Sequence, residues 1–394
     1  MEKSKYDFNV REEVFGATIL DLKSGERQYI TKEELKKLLE NNTFPTDIYS
    51  KYNNNSFNIK FTPLENQNIN YFSFADISYV EVTRACNLRC VHCLNNSGSI
   101  LENQLSYDEL RHLILDYAKN GIQEIRFTGG EPLVYKKIYN LISLATENGI
   151  YTSIGTNGTL ITEEVANRLK DVGLKYAVVS IDGTKEKHDE IRGEGNYGKT
   201  INGIKNLENA GIKTRVNSVI MKNNMEDIIK LAKQFNKEHR HLMIRRFIES
   251  GRGENLVDNV MNKTDYDFVK DCLKEELLND DYINGHYLRS KTEKISDRIK
   301  LPFDISDGCK AGKRAIIITP EGNIHLCGFL AAQGFPPIAN IREISNWKDT
   351  WKNMNQTSCL KQLKEKLLDY NNIENIQETN CLAYVQNYIN RGKL

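Results

Sequence analysis

Short apolar segments alternate with amphipathic helical segments from residue 78 onward, and this alternation constrains the fold of the 394-residue chain most. Six segments read as strands, namely residues 78–83, 124–128, 151–155, 176–181, 213–220 and 242–247. Helical spacing lies between them, and Ser106 with Glu109 forms a capping-box pattern before one such segment. Six βα repeats predict a parallel sheet with right-handed crossovers. Because a complete barrel has eight units, we expect an α/β fold with a partial (β/α)6 TIM-like barrel.

Different patterns flank the predicted barrel on both sides. Residues 1–77 contain two strand-like runs, 15–22 and 27–30, around a glycine turn and a short helix that Thr31 and Glu34 open, which indicates a small α+β element. Residues 78–300 hold the barrel and a charged stretch with one helix from Thr264. Residues 301–394 begin with a β-hairpin near 315–327 and continue as short helices. These patterns predict three domains.

Charge and hydropathy exclude two classes of partner. The chain has 54 Lys and Arg against 53 Asp and Glu, whereas a general nucleic-acid binder needs a basic face. No apolar run approaches the roughly 18 residues that span a bilayer, and the first residues lack a signal-peptide core. We therefore expect a cytoplasmic protein that binds neither nucleic acid nor membrane. Disulfides rarely persist in the cytoplasm, so the eight cysteines require another explanation.

Three of the cysteines follow the first predicted strand directly. Cys86, Cys90 and Cys93 have the spacing Cys-x3-Cys-x2-Cys. Three thiolates on one short loop can bind three irons of a 4Fe–4S cluster and leave the fourth iron open. A zinc site would need four ligands, and only His92 lies nearby. Incidental cysteines are the remaining interpretation, although cytosolic thiols rarely cluster without a metal.

The cysteine loop resembles the cluster-binding motif of the radical S-adenosylmethionine (radical SAM) superfamily. The resemblance implies that the three cysteines bind a 4Fe–4S cluster whose unique iron chelates S-adenosylmethionine (SAM). His92 stands where the family often has an aromatic residue, and packing against adenine is implied for it. A glycine-rich segment ends the second strand and matches the family motif that contacts the methionine amino group; it comprises Thr128, Gly129, Gly130, Glu131 and Pro132. Glycines allow a close backbone approach, and a carboxylate can pair with an ammonium group.

Polar residues also follow the later strands, and we expect them to converge at one mouth of the barrel. By the same resemblance, the candidate SAM contacts are Asn157, Ser180, Asp182, Arg192 and Asn217. The sequence places His188, Asp189 and Arg192 on a loop after the fourth strand. Turns and helix caps are the alternative explanation for these polar positions.

A second group of cysteines lies near the C-terminus. Cys309 and Cys327 bracket a predicted strand, and Cys381 follows 54 residues later. This arrangement resembles the auxiliary-cluster extension of radical SAM enzymes in its short form, Twitch, because the dense cysteine run of the longer SPASM form is absent. The resemblance implies one auxiliary Fe–S cluster, either 4Fe–4S or 2Fe–2S, with Cys359 as the fourth ligand or the position left open or filled by substrate. Cys272 lies on an amphipathic helix and is interpreted as a core residue.

The resemblance implies reductive cleavage of SAM to a 5′-deoxyadenosyl radical that abstracts a hydrogen atom. The chain looks most like peptide-modifying members such as mycofactocin and sactipeptide maturases. Our hypothesis is therefore a maturase of a ribosomally made precursor peptide (RiPP), which forms a thioether, C–C or other cross-link. Flavodoxin or ferredoxin would supply electrons. Residues 1–77 would bind the leader peptide by strand addition or cover the barrel.

Other functions remain open at this point. Tetrapyrrole side-chain modification and sulfatase-type oxidation of Ser or Cys occur on related architectures. A non-enzymatic Fe–S protein for electron transfer or sensing is the third alternative.

Overall fold

A four-stranded sheet and one helix form the N-terminal element of the structure, a computed structural model that describes residues 4–44, 56–65, 71–278, 283–284, 311–356, 358–372 and 381–390. The elements are β1 (Phe8–Glu13), β2 (Gly16–Asp21), β3 (Arg27–Thr31), α1 (Lys32–Asn41) and β4 (Ile59–Thr62). The strand order is β3-β2-β1-β4. Thr31 and Glu34 form the predicted capping box at the start of α1.

Six parallel strands form the barrel, and each pairs with its neighbour in chain order. They are β5 (Ile77–Glu81), β6 (Glu124–Thr128), β7 (Tyr151–Thr156), β8 (Tyr176–Ser180), β9 (Lys213–Ile220) and β10 (Leu242–Arg246). The two-residue strand β11 (Ile283–Asn284) pairs in parallel with β10. The predicted α/β partial TIM-like barrel is confirmed, and each strand begins and ends within two residues of the expected position.

Helices connect the strands, because parallel strands need long crossovers. They are α2 (Tyr107–Asn120), α3 (Ile138–Glu147), α4 (Glu163–Asp171), α5 (Lys185–Arg192), α6 (Asn196–Asn209), α7 (Met225–Lys237), α8 (Lys263–Cys272) and α9 (Lys274–Leu278). The predicted loop position of His188, Asp189 and Arg192 is wrong, since these residues lie in α5. That helix escaped prediction because Ile191 is its only aliphatic residue, so its apolar spacing is too sparse to recognise.

The C-terminal hairpin continues the sheet of the barrel. Its elements and those that follow are β12 (Ala315–Ile318), β13 (Asn323–His325), α10 (Gly328–Ala332), β14 (Ala339–Asn340), α11 (Trp347–Gln356), α12 (Ser358–Asn371) and α13 (Leu382–Asn390). Strand β12 pairs in parallel with β5 and antiparallel with β13. The Trp351 indole donates a 2.6 Å hydrogen bond to the Phe72 carbonyl, which fixes α11 beside the chain that enters β5. Domain boundaries at 77 and 300 stay predictions.

The N-terminal element packs on the amino ends of the barrel strands. Asn9 Nδ2 donates to the carbonyl oxygen of Gly149, just before β7, at 2.9 Å. Lys213 at the start of β9 donates from Nζ to the Ser24 carbonyl at 3.0 Å. Because the carboxyl ends lie at the opposite edge, this element leaves them uncovered.

One continuous hydrophobic cluster runs from the barrel strands through the surrounding helices to α11 and α13. A separate cluster around Phe8, Phe44 and Phe57 stabilises the N-terminal sheet. Among the residues that the structure describes, no helix combines the length and apolar character needed to cross a membrane.

Candidate active site

The cysteine loop leaves β5 at the carboxyl end of the strand, and its two ends are tied together. The Cys86 amide donates to the Gly98 carbonyl at 3.0 Å, and the Gly98 amide donates to the Arg84 carbonyl at 2.9 Å. Ala85 and Gly98 also form an isolated parallel bridge. The loop is therefore a closed, hydrogen-bonded unit.

Each cysteine sulfur of this loop accepts a hydrogen bond. Cys86 Sγ accepts from the amide two residues later and Cys93 Sγ from the amide four residues later, both at 3.4 Å. Arg192 Nη1 lies 3.8 Å from Cys90 Sγ and donates to it. Burial raises the pKa of both the Cys86 and the Cys90 thiol. A bound metal group is what favours their thiolate forms, since a coordinating thiol loses its proton.

A 4Fe–4S cluster and a single metal ion place different demands on a set of ligands. Within the described parts of the chain, no three Cys, His or carboxylate side chains meet as they would around one metal ion. A 4Fe–4S cluster needs a different arrangement, because each thiolate binds a different iron. Three cysteines on this loop are the number that a 4Fe–4S cluster with one open iron needs.

Gly129 and Gly130 pack against the backbone that leads into the cysteine loop. A Cβ at Gly129 would lie 2.3 Å from the Thr83 carbonyl oxygen, and one at Gly130 would lie 2.2 Å from that of Ala85. Gly129 also has a φ of +135°, which side chains rarely adopt. The sequence indicated glycines for close approach to a ligand, and the structure shows close approach to the cluster loop itself.

Glu131 is fully buried and connects the ends of β6 and β7. Its Oε1 accepts from Thr156 Oγ1 and its Oε2 accepts from the Asn157 amide, each at 2.8 Å. Burial raises the pKa of Glu131 to about 7. The Asn157 side chain in turn donates to Asn87 Oδ1, inside the cysteine loop, at 2.9 Å. These contacts give Glu131 and Asn157 a role in positioning the loop, whereas their contact with SAM stays a prediction.

Asp182 is buried after β8 and is the centre of a charged network. One oxygen, Oδ2, lies 2.6 Å from Arg192 Nε and 2.9 Å from His92 Nε2. The other, Oδ1, accepts from the Val219 amide at 2.7 Å. Although burial opposes ionisation, Arg192 and His92 hold the pKa of Asp182 well below its usual range. Asp182 thus orients Arg192 toward Cys90, and His92 faces this carboxylate.

Ser180 and Asn217 lie side by side in the register of β8 and β9. Asn217 Oδ1 is buried without a hydrogen-bond partner in the described part of the chain. An unsatisfied buried oxygen is costly unless a ligand supplies a donor. Thr128 lies half-buried at the end of β6, and Pro132 opens the 3-10 helix that follows it.

Sequence reasoning missed one contact of the cysteine loop, which comes from the chain after β10. Arg252 donates from Nε to the Cys90 carbonyl at 2.8 Å and from Nη1 to the Ser97 carbonyl at 2.7 Å. A Cβ at Gly251 would lie 2.5 Å from the Cys93 carbonyl oxygen. The only local signal was the Ser-Gly-Arg-Gly segment from residue 250, whose contacts its sequence does not reveal.

The second cysteine group is described in part. Cys327 caps α10, and its sulfur accepts from the Leu330 amide at 3.4 Å. Cys381 directly precedes α13, which packs against α10. Cys309 lies outside the described residues, and Cys359 lies in α12 with its side chain outside them. Cys272 ends α8 and packs against the main hydrophobic cluster.

Comparison with known proteins settles the family. The sequence model of the Radical SAM superfamily matches residues 80–235. Fe-coproporphyrin III synthase of Methanosarcina barkeri is 33% identical over 282 residues, which cover 66% of this chain and 70% of that protein. The chain belongs to the radical SAM superfamily.

Two further comparisons place this radical SAM enzyme among known relatives. The mycofactocin maturase MftC of Mycobacterium tuberculosis is 28% identical over 292 residues, which cover 72% of this chain and 71% of MftC. The structure of Streptococcus suis SuiB bound to its precursor peptide SuiA superposes with a TM-score of 0.67 at 19% identity and covers 90% of each chain. The likeness to SuiB is one of fold.

Membership implies that this radical SAM enzyme uses a 4Fe–4S cluster and SAM. The three hydrogen-bonded sulfurs of Cys86, Cys90 and Cys93 and the unsatisfied oxygen of Asn217 fit these groups. When bound, the cluster and SAM supply a 5′-deoxyadenosyl radical by reductive cleavage. The contacts of Gly98, Asn157 and Arg252 hold the loop that would carry the cluster.

Proposed function

We propose that this radical SAM enzyme modifies a ribosomally made precursor peptide by hydrogen abstraction, forming a thioether or another cross-link. The observation that carries the proposal is the identity of 28% to the mycofactocin maturase MftC over 72% of the chain. The edge strands β3 and β4 of the N-terminal sheet support it, since a peptide binds to a sheet edge by strand addition.

An open cleft beside the cysteine loop offers room for a peptide segment. It measures about 570 Å³ and is lined by Asn87, Arg89, Arg192, Glu194 and Lys199, among others. Because Cys90 contacts Arg192 at one wall, a substrate here would lie close to the cluster. In this proposal the candidate SAM contacts Thr128, Ser180 and Asn217 orient SAM at the adjoining strand ends.

The test is coexpression of the enzyme with a short peptide encoded beside its gene, followed by mass spectrometry. We expect a mass loss of two hydrogens for a cross-link, together with 5′-deoxyadenosine formation under reduction. The Cys90→Ala variant is the control and should leave the peptide unchanged. An unchanged peptide mass with the intact enzyme would contradict the proposal.

A tetrapyrrole substrate is the second candidate, because the 33% identity to Fe-coproporphyrin III synthase exceeds the identity to MftC. Since a synthase of that name forms Fe-coproporphyrin III, the test is anaerobic incubation with an iron tetrapyrrole that carries additional carboxylate side chains, followed by mass spectrometry for Fe-coproporphyrin III. Substrate-dependent 5′-deoxyadenosine with that iron tetrapyrrole, and none with the peptide, would favour the tetrapyrrole.

One auxiliary Fe–S cluster, either 4Fe–4S or 2Fe–2S, is part of the proposal. Its ligands would be Cys309, Cys327 and Cys381, with Cys359 or the substrate as the fourth. The packing of α10 on α13 supports this, because each helix begins directly after one of these cysteines. Helix amino ends favour a negatively charged cluster.

Iron analysis of single alanine variants tests the auxiliary cluster. Replacing Cys327 or Cys381 should lower the iron content of the enzyme, but the iron bound by Cys86, Cys90 and Cys93 should remain. Cys272→Ala is the matched control and should keep all the iron.

We further propose that flavodoxin or ferredoxin reduces the enzyme in the cytoplasm, which reduction assays with each donor would test.

A further inference from the structure

Arg215 lies on the inner face of the barrel, closer to the amino ends of the strands than the candidate SAM site. It precedes Asn217 by two positions on β9, so the two side chains point to the same face of the sheet. Val216 between them points the other way and belongs to the main hydrophobic cluster. The Arg215 guanidinium lies 5.9 Å from the centre of the Tyr176 ring on the neighbouring strand β8.

Arg215 is a half-buried cation whose Nε atom is buried. Its Nε has no hydrogen-bond partner, and among the described residues its guanidinium forms no ion pair. Burial lowers the pKa of Arg215. An unpaired buried charge costs a great deal of free energy, so such groups are normally paired. The position therefore indicates an anion that arrives with a ligand.

The neighbouring carboxylate, Glu124, already forms an ion pair with another arginine. Glu124 Oε1 lies 2.9 Å from Arg126 Nη2 and accepts from Ser153 Oγ at 2.8 Å. Arg126 also lies over the Tyr79 ring at 5.3 Å. This part of the inner face thus holds two guanidinium groups and one carboxylate, which leaves one positive charge uncompensated.

The amino end of the barrel is closed beneath this charge. Tyr151 packs with Leu20 and Leu22 of the N-terminal element, and a Cβ at Gly25 would lie 2.8 Å from its ring. A ligand must therefore enter from the carboxyl ends of the strands, past Ser180 and Asn217.

We infer that Arg215 binds a carboxylate group of the substrate inside the barrel. Peptides and tetrapyrroles both carry carboxylates, so the inference rests on the proposed function only in placing the substrate in this barrel. The guanidinium presents a planar set of donors that matches a carboxylate. The methionine carboxylate of SAM is the other source of the same chemistry.

Thermal unfolding of the cluster-loaded enzyme tests the site with sodium acetate as the probe and sodium chloride of equal ionic strength as the reference. The wild-type Tm should be higher in acetate, because a ligand that binds only the folded state stabilises it. Arg215→Met should remove this difference and raise the Tm in chloride by about 2 °C or more, since it removes an unpaired buried charge.

Arg168→Met is the matched control, because Arg168 also stacks on a tyrosine, 3.9 Å from the Tyr139 ring centre, but is exposed. The Arg168→Met variant should keep the higher Tm in acetate than in chloride. Arg215→Lys keeps the charge and should retain a weaker response, which covers the case that the Met variant fails to fold. A wild-type Tm that is equal in acetate and chloride, or an Arg215→Met variant with a lower Tm in chloride, would overturn the inference.

SAM binding by equilibrium dialysis separates the two sources of the carboxylate. For a substrate carboxylate, Arg215→Met should bind SAM within about twofold of wild type. A loss of SAM affinity of about tenfold or more, which corresponds to 1.4 kcal/mol, would overturn the substrate assignment. It would show that Arg215 binds the methionine carboxylate of SAM instead. Neither readout depends on peptide modification, so failure of the proposed function would leave the acetate result intact.

Discussion

Arg252 donates a 2.8 Å hydrogen bond from Nε to the carbonyl oxygen of Cys90, although 162 positions separate the two residues. The same guanidinium reaches the Ser97 carbonyl, and the Arg252 amide donates to the Cys93 carbonyl at 3.1 Å. The loop that carries three cysteines is thus held from outside by the chain after β10. Its geometry depends on the last unit of the barrel being folded.

Arg252→Ala should release iron faster than the wild type. Hydrogen bonds from a charged donor contribute about 1.5–3 kcal/mol each, so their loss should let the loop open more often. The measurement is the anaerobic rate of iron transfer to a chelator. Arg111→Ala, an exposed arginine on α2, is the control and should match the wild type. Equal release rates for the two variants would count against a role of Arg252 in holding the loop.

Arg192→Gln should shift the reduction potential of the cluster downward. Arg192 places a positive charge and an N–H donor 3.8 Å from Cys90 Sγ, and both favour the reduced, more negative cluster. Potentiometric titration followed by electron paramagnetic resonance measures the shift. Lys199→Gln changes an exposed cation of the same cleft and should leave the potential unchanged. An unaltered potential in Arg192→Gln would show that the Cys90 contact has no electronic effect.

Gly130→Ala should destabilise the enzyme and lower its iron content. The new Cβ would lie 2.2 Å from the Ala85 carbonyl oxygen, so β6 and the cysteine loop would have to separate. Such overpacking costs about 1–3 kcal/mol or more. In Gly198→Ala the Cβ meets no atom within 4 Å, and this helix position should gain about 0.5–1 kcal/mol. The iron content and the Tm are measured for both variants. Equal values in the two variants would contradict the close contact at Gly130.

Asp76→Asn should lower stability by about 3–5 kcal/mol, because it breaks a buried charge network. Asp76 lies 2.8 Å from Arg11 Nη2 and 2.6 Å from Arg314 Nε, which joins the N-terminal element, the barrel and the C-terminal hairpin. Burial raises the pKa of Asp76, but Arg27, Arg314 and Arg11 outweigh burial and hold it well below its ordinary value.

The sign of the pH dependence follows from that lowered pKa. A carboxyl with a depressed pKa contributes stability above its unfolded pKa, about 3.9, and this contribution is lost as pH falls below it. Glu13 of the same network has its pKa raised by burial to about 7, so both proteins are compared in a Glu13→Gln background. The difference in Tm between that variant and its Asp76→Asn derivative should therefore stay constant from pH 8 to pH 5. A difference that shrinks within this range would show that Asp76 is not held ionised by its arginines.

Local patterns were sufficient for the barrel and insufficient for some elements around it. The six strands are short apolar runs with helical spacing between them, so neighbouring residues reveal them. Strand β1 was missed because Asn9, Arg11 and Glu13 are polar yet buried. Their burial depends on partners elsewhere, such as Asp76 for Arg11, which no local pattern contains.

The candidate site shows the same division. The cysteine spacing pointed to the cluster, because its three candidate ligands lie within eight residues of sequence. The contacts of Arg252 with the cysteine loop had no signal in the sequence, and neither did the lack of an ion pair at Arg215 within the described part of the chain. An arginine in a strand or loop usually faces solvent.

The amino-acid sequence by itself determined the order of βα units, the position of the cysteine loop at the first of them, and thereby the superfamily. Only the tertiary structure decided that Glu131 and Asn157 position the loop, that Asp182 orients Arg192 toward Cys90, and that Arg215 forms no ion pair with another described residue. The physical reason is distance along the chain. The period of hydrophobic residues and the spacing of the cysteines involve residues that are close in sequence, so the sequence reveals both. Hydrogen-bond partners and burial depend on strand order and register, which arise only when distant segments pack together.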